Sequence, residues 1–331
     1  MFDKIVVITK KTPLEELIER FNTLSQARFY IEHSGQSFAE YEAFHNNYHA
    51  ALSKLKKALP SEMKSRFIER GFLTNFLFGA KDLVITLGPD GLVVNTAKYL
   101  DGQFIMAVNP DSSRIDGILI PFLIDSIAER LETVLRGEFR HEEISMAKVK
   151  LDNGQTLYAV NDFFVGPKSH TCLRYTLKHA GRSEEQLSSG IIISTGAGST
   201  GWFRAVMAGA EGIYLAFMNP AAPAGGGRTE KESKTSGGKD KTQRASLMTR
   251  FDRSSEELVF MVREPFESKT SKAEMVFGKI SGGSALTIVS RTPSGGVIFS
   301  DGIESDYLEF NSGRTAVIGI AEKKVKLIKL F

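Results

Sequence analysis

The chain has 331 residues, 42% hydrophobic and 24% charged, a balance typical of soluble globular proteins and long enough for one large or two ordinary domains. Its 42 Lys and Arg against 39 Asp and Glu leave a net charge of +3, so no overall field favours nucleic acid or a membrane surface. The single cysteine, Cys172, excludes an internal disulfide and fits a reducing compartment, and no run of about 18 apolar residues is present to span a bilayer. The expectation is a cytoplasmic protein with neither nucleic acid nor membrane as partner.

Ile5-Val6-Val7-Ile8, with Phe2 before it, lies between charges too closely spaced for a secretion leader and reads as a first buried strand. Thr12-Pro13 opens a helical pattern with Leu14, Leu17, Ile18, Phe21 and Leu24 on one face and Glu15 and Glu16 in its first turn. A second helical pattern runs from Ser37 to Leu59 and stops at Pro60. Asp82 to Leu87 is a β-branched apolar run that ends directly in Gly88. A helix from Val93 to Leu100, a strand from Phe104 to Val108, a loop from Asn109-Pro110 and an amphipathic helix to about Leu135 complete an alternating β/α half.

Beyond Gly137 short alternating segments replace the helical patterns. Asp152-Asn153-Gly154 signals a hairpin between Ile144 to Leu151 and Thr156 to Val165. Further strands are predicted near 172–178, 190–195, 257–263, 273–280, 285–291, 296–300 and 315–329. Residues 219–256 carry Pro, Gly, Ser and Lys with almost no aliphatic side chain, a composition that predicts a flexible basic loop. The expected architecture is an N-terminal Rossmann-like α/β domain with a parallel sheet (1–136), then a β-rich, sandwich-like domain (137–314). A final strand segment (315–331) is placed where it can return to the first domain.

Four segments have the composition of a site. Gly88-Pro89-Asp90-Gly91 follows a predicted parallel strand, where open α/β sheets bind ligands; glycines admit phosphate oxygens to the backbone, and a carboxylate there can act on a hydroxyl. The same residues also make an ordinary turn. Asn161-Asp162 interrupts an apolar strand, so at least one polar group enters a packed region or the strand is bulged there. Ser194-Thr195-Gly196-Ala197-Gly198-Ser199-Thr200-Gly201 joins a strand to a helix through small residues, an anion-binding or simply a capped turn. It has no lysine, which disfavours a Walker-type site. Asp301-Gly302, read alone, is a hairpin turn.

His45 and His49 stand four apart on the second helical pattern, but the sequence offers no evident third ligand, and no metal-ligating set is predicted. Cys172 reads as a structural, buried thiol.

In their order and spacing these segments resemble the NAD kinase family, with its Gly-Gly-Asp-Gly turn, Asn-Glu pair, Thr-Gly-Ser-Thr-type turn and late Asp-Gly. Ala107 to Arg114 and Arg136 to Arg140 look most like the mitochondrial-type members and their bacterial relatives. The resemblance implies ATP-dependent, Mg²⁺-assisted phosphorylation of the 2′-hydroxyl of the adenosine ribose of NAD(H), at a site between the domains of a homodimer or larger homo-oligomer. Under it Asp90 is the catalytic carboxylate and Gly88 and Gly91 shape the phosphate turn. Asn161 and Asp162 bind NAD, with aspartate in place of the usual glutamate, and Gly198, Ser199, Thr200 and Gly201 contact the dinucleotide. Pro89, where the family has glycine, removes one N–H donor and leaves two alternatives: a nucleotide sensor without transfer, or a related lipid or sugar kinase.

Overall fold

Strands β1 (Lys4–Thr9), β2 (Lys64–Glu69), β3 (Asp82–Leu87), β4 (Phe104–Asn109) and β5 (Phe122–Leu123) pair in parallel in the order β2-β1-β3-β4-β5. The computed structural model describes residues 2–218 and 250–329, so most of the basic loop expected at 219–256 lies outside the described residues. Period-two alternation assigns the two faces of this sheet. Ile5, Val7, Leu83, Ile85, Met106 and Val108 pack under helices α3 (Phe38–Ala58) and α5 (Ile127–Leu135). Val6, Ile8, Val84, Ile105 and Ala107 pack under α4 (Asp90–Ala97). The N-terminal helices α1 (Pro13–Phe21) and α2 (Leu24–His33) meet α3 through Leu14, Ile31 and Phe38. Helix α1 begins with a capping box: Thr12 N donates to Glu15 Oε2 at 2.7 Å, and Glu15 N to Thr12 Oγ1 at 3.3 Å.

The remaining strands are β6 (Arg140–Leu151), β7 (Thr156–Ala159), β8 (Asp162–Pro167), β9 (Leu173–His179), β10 (Arg182–Ser188), β11 (Gly190–Ser194), β12 (Glu257–Arg263), β13 (Phe277–Ser281), β14 (Leu286–Ser290), β15 (Gly296–Ser300), β16 (Ile303–Glu309) and β17 (Thr315–Lys329). One set extends the first sheet in the order β10-β9-β14-β17-β4, with β6 and β7 beside β17. The other forms a separate antiparallel sheet, β13-β12-β11-β8-β15-β16. Phe163, Val165, Leu173, Tyr175, Ile191, Phe260, Ile288 and Ile318 fill the space between the two sheets, a sandwich core in which each large apolar side chain contributes roughly 1.5–3 kcal/mol. Helix α6 (Trp202–Met218) covers the outer face of the second sheet through Phe203, which packs with Phe164, Ile192, Val259 and Met261. Strand β17 spans both halves: its first part pairs with β14, and Lys326 and Leu327 align in parallel with Phe104 and Ile105 of β4.

Among the elements that the pattern does not show are β2, β10 and α2. Strand β2 is an exposed edge strand, KSRFIE, with too few buried positions to alternate, and β10 hides its inward side behind Glu184 and Gln186. Helix α2 carries only two buried residues. The loop expected from Asn109-Pro110 runs to residue 121, and the amphipathic helix that follows ends at Leu135 as expected but has only nine residues, α5. Among the described residues no helix is long and apolar enough to cross a membrane.

Candidate functional site

The strand expected from Thr156 to Val165, with Asn161-Asp162 interrupting it, is two strands in two sheets. β7 pairs with β6 in the first sheet and β8 with β11 and β15 in the second, and the chain crosses between them at Val160-Asn161. The N–H groups at that crossing have no ladder partner. They donate to one side chain: the Asp301 carboxylate accepts from Val160 N at 3.1 Å, Asn161 N at 2.7 Å and Asp162 N at 3.3 Å. Asp301 can reach because it occupies the β15–β16 turn with φ 55°, followed by Gly302 at φ 70°. The dipeptide is therefore a hairpin turn whose side chain also caps a strand break.

The 194–201 turn packs on the same crossing. Thr195 N donates to Asn161 O at 2.9 Å, and Thr195 Oγ1 to Val160 O at 2.5 Å. A Cβ at Gly198 would lie 2.1 Å from Asn161 O, so only glycine permits this approach. From the facing side comes the first turn of α4. Asp90 Oδ2 accepts from Ile118 N and Oδ1 from Leu119 N, both at 3.0 Å. Gly117 permits that turn, since a Cβ there would strike Ile120 at 1.8 Å. The negative charge of Asp90 also sits at the positive end of α4.

These elements enclose a cleft of about 240 Å³ lined by Asp90, Gly91, Asn161, Asp162, Gly198, Thr200 and Gly201, together with Ile118, Leu119, Trp202 and Arg253. Two of the sequence-predicted residues stand behind its wall. Ser199 is fully buried, its Oγ donating to Gly196 O at 2.7 Å, and Gly88 precedes the helix without lining the cleft. Pro89 is the N-cap of α4 with φ −73° and ψ 171°, within the range its ring imposes, so the turn that carries Asp90 takes proline without strain.

Four contributors were not read from the sequence. Arg253, which follows the polar run 219–249, is anchored by its backbone, because Ser145 N donates to Arg253 O at 2.9 Å; its guanidinium stands 3.6 Å from Glu142. The Ile118 and Leu119 N–H groups orient Asp90 from an irregular loop. Trp202 stacks on Phe164 at 5.5 Å and lines both the cleft and a neighbouring hollow of about 730 Å³ with Phe164, Lys168, His170, Arg263 and Phe299. Lys98, buried at the end of α4, donates to Ser300 Oγ at 3.0 Å and pairs with Asp306 at 3.2 Å, next to Asp301. Lys98 and Arg253 carry no sequence signal, whereas Trp202 was visible as the residue after the small-residue turn. Cys172, expected to be buried, is exposed on the rim of the larger hollow.

Burial pushes the Asp162 carboxyl up to about 7, helped by the nearby Asp301 charge. Burial raises Asp301 to about 6 against the pull of its three N–H donors and Lys98. Of the two, Asp301 is the better anion because the donors surround it, and Asp162 is the group that titrates near neutrality.

No protein-family model matches the chain. A probable NADH kinase from Oryza sativa subsp. japonica is 26% identical over 246 residues, which are 66% of this chain and 62% of that protein. An NAD kinase from Heliobacterium modesticaldum is 28% identical over 129 residues, 37% of this chain and 44% of that one. The chain thus spans less than two thirds of the length of either relative. Yeast NADH kinase complexed with NADH superposes with a TM-score of 0.55 at 13% identity, covering 99% of this chain and 84% of its own. An NAD kinase from Archaeoglobus fulgidus in complex with ATP gives 0.53 at 13% identity, covering 98% and 93%. The fold is that of these kinases, and the sequence relatives bear out the resemblance carried by the four motifs.

Two measurements probe this geometry. Between the ordinary aspartate value and about 7, folded Asp162 holds a proton that the unfolded chain releases, so stability falls as pH rises through that window. Urea unfolding at about pH 5 and about pH 8 therefore shows Asp162→Asn gaining on the parent at the higher pH, with a slope difference of at most about 1.4 kcal/mol per pH unit; parallel profiles would contradict the assignment. Pro89→Gly lowers stability by about 0.4–1 kcal/mol through the unfolded state, measured by urea unfolding. A gain in stability would show that the turn is strained with proline in place.

Proposed function

We propose that this chain, related to the NAD kinases by sequence and fold, is a phosphotransferase that uses ATP to phosphorylate the 2′-hydroxyl of the adenosine ribose of NAD or NADH. One observation carries the reading: Asp90, the Asn161-Asp162 pair and Thr200-Gly201 come from three separate elements and line one cleft. A sugar hydroxyl at Asp90 would lie beside a carboxylate whose oxygens each accept one backbone N–H and keep a further acceptor site. Asp90 is then held in position to take the hydroxyl proton as oxygen attacks the γ-phosphorus and ADP departs, an effect of about 10²- to 10⁴-fold.

The other wall binds and orients. Asn161 and Asp162 present an amide and a carboxyl to vicinal hydroxyls, and the small residues at 198–201 leave room for a dinucleotide against the backbone. Arg253 is the cation best placed to meet the phosphates, since it lines the cleft and its nearest carboxylate, Glu142, is at the edge of ion-pair distance. The adjoining hollow behind Trp202, with Phe164 and Arg263, offers an aromatic shelf for the second base of a dinucleotide. A base stacked there would extend the substrate beyond the reacting ribose.

The donors on the cleft wall are oxygens of Asp90 and Asp162, the chemistry Mg²⁺ takes, and a Mg²⁺ held mainly by the triphosphate would neutralise charge on the transferring group. In the same reading the protein is cytoplasmic and a homo-oligomer, a dimer or tetramer. Ile213, Tyr214, Phe217 and Met218 on α6, each more than half exposed, give an apolar surface for assembly.

The direct test is to incubate the purified chain with ATP, Mg²⁺ and either NAD or NADH and to assay the 2′-phosphorylated product. Asp90→Asn lowers turnover by at least about 10²-fold while NAD affinity holds. Bound NAD without product under any condition would sink the catalytic reading. Arg253→Ala raises the KM for ATP by roughly 10-fold or more, the effect of losing one charge-assisted contact of about 1.5–3 kcal/mol. An unchanged KM for ATP would place the triphosphate elsewhere.

A further inference from the structure

Helix α3 carries His45 and His49 one turn apart, and the fold brings to them the residue that the sequence does not place there. Glu15, in the first turn of α1, sets Oε1 3.0 Å from His49 Nε2, and the two imidazole rings lie 4.3 Å apart by their centroids. One ligating atom from each of Glu15, His45 and His49 lies within 4.8 Å of the others. We infer that these three side chains form a binding site for a divalent transition-metal ion of the zinc class, bridging α1 and α3.

The supporting contacts have the form that metal ligands require. Glu15 divides its oxygens: Oε2 accepts Thr12 N at 2.7 Å in the capping box, so its rotamer is fixed and Oε1 is the oxygen directed at the histidines. Thr12 Oγ1 lies 2.9 Å from His45 Nδ1, a contact that orients the ring; in the tautomer with the proton on Nδ1, Nε2 carries the lone pair a metal takes. Two imidazoles and one carboxylate with a position open to water is a donor set that zinc accepts in tetrahedral geometry, with bonds of about 2.0–2.2 Å. Ligand atoms on such an ion stand roughly 3.3 Å apart; the Glu15–His49 pair, at 3.0 Å, is already near that spacing, and the others, within 4.8 Å, close on it by side-chain rotation. His49 and Glu15 are partly exposed, which provides an entry path.

The donor set also discriminates. Mg²⁺ prefers all-oxygen, octahedral surroundings, whereas two nitrogens favour Zn²⁺, Co²⁺, Ni²⁺ or Cu²⁺. Occupancy would tie the start of α1 to the middle of α3. Between the two histidines, Tyr48 accepts Lys10 N at 3.1 Å and donates to Leu87 O at 3.2 Å, the carbonyl just before Gly88. A metal clamp here would therefore stiffen the corner of the fold against which the Asp90 turn is built. The inference does not depend on the kinase reading.

The test is titration of the full chain with Zn²⁺ by calorimetry, and with Co²⁺ followed through the visible bands of a tetrahedral nitrogen and oxygen site. One ion per chain is expected, with a rise in melting temperature that chelator reverses. His45→Ala and His49→Ala each weaken binding by more than about 10-fold. Glu15→Gln does the same while keeping a side chain able to complete the capping box, so its unchanged metal-free melting separates ligand loss from misfolding. His170→Ala, on the far hollow, leaves the titration as it was. Absence of stoichiometric binding, or binding that survives all three ligand substitutions, would reduce the cluster to a hydrogen-bonded contact and overturn the proposal.

Discussion

The carboxylate of Asp301 makes the rest of the site possible. A chain that leaves one sheet and enters another exposes backbone N–H groups with no ladder partner, and each such group left unpaired inside the protein costs roughly 1–3 kcal/mol. Three of them, on Val160, Asn161 and Asp162, converge on this one side chain. The hairpin that presents it must adopt positive φ at Asp301 and Gly302, and the positive charge of buried Lys98 stands close enough to offset the burial of the anion. The crossing can thus be abrupt, and Asn161 and Asp162 are delivered to the cleft rather than to the sandwich core.

Lys98 connects this interaction to the other half of the molecule. It closes α4, the helix whose first residue is Asp90, and it reaches Ser300 and Asp306 on either side of the Asp301 turn. The helix that carries one carboxylate of the cleft is thereby fixed at its far end to the hairpin that positions the other. Strand β17 makes the same connection through the backbone, pairing with β14 in the sandwich and β4 in the parallel sheet. Neither half can shift without breaking contacts buried away from water, which is what a site assembled from both sides requires.

Much of the fold was legible because periodicity records burial. Strand β3 was read with its observed ends, since every residue from Asp82 to Leu87 is buried and a glycine follows. The capped start of α1 at Thr12-Pro13 was equally plain. Strand β2 was not, because an exposed edge strand has no buried face to leave a pattern, and Glu184 and Gln186 in β10 are buried polar groups that bond each other and the backbone of Met275, far away in sequence. The four motifs meet around one cleft, but their composition does not show how the chain brings them there. The pattern marks an interruption at Asn161-Asp162 but not a change of sheet, because its cause, Asp301, lies 140 residues further on. Long-range side-chain capping leaves no local trace.

Asp90 and Asp162 are two carboxyl groups on one cleft, and their surroundings differ. Asp90 is partly exposed, fixed by two N–H donors and set in the first turn of a helix. Asp162 is buried beside another carboxylate, with its pKa pushed up to about 7, and at neutral pH it can stand in either form. A carboxylic acid can donate a hydrogen bond where a carboxylate can only accept one, so Asp162 can meet a sugar hydroxyl or an amide acceptor. Two side chains of one type thus line opposite walls of the cleft in different surroundings, and the difference comes from the backbone that holds each: a loop that gives two N–H groups to Asp90, and a strand break at Asp162 whose N–H groups Asp301 already satisfies.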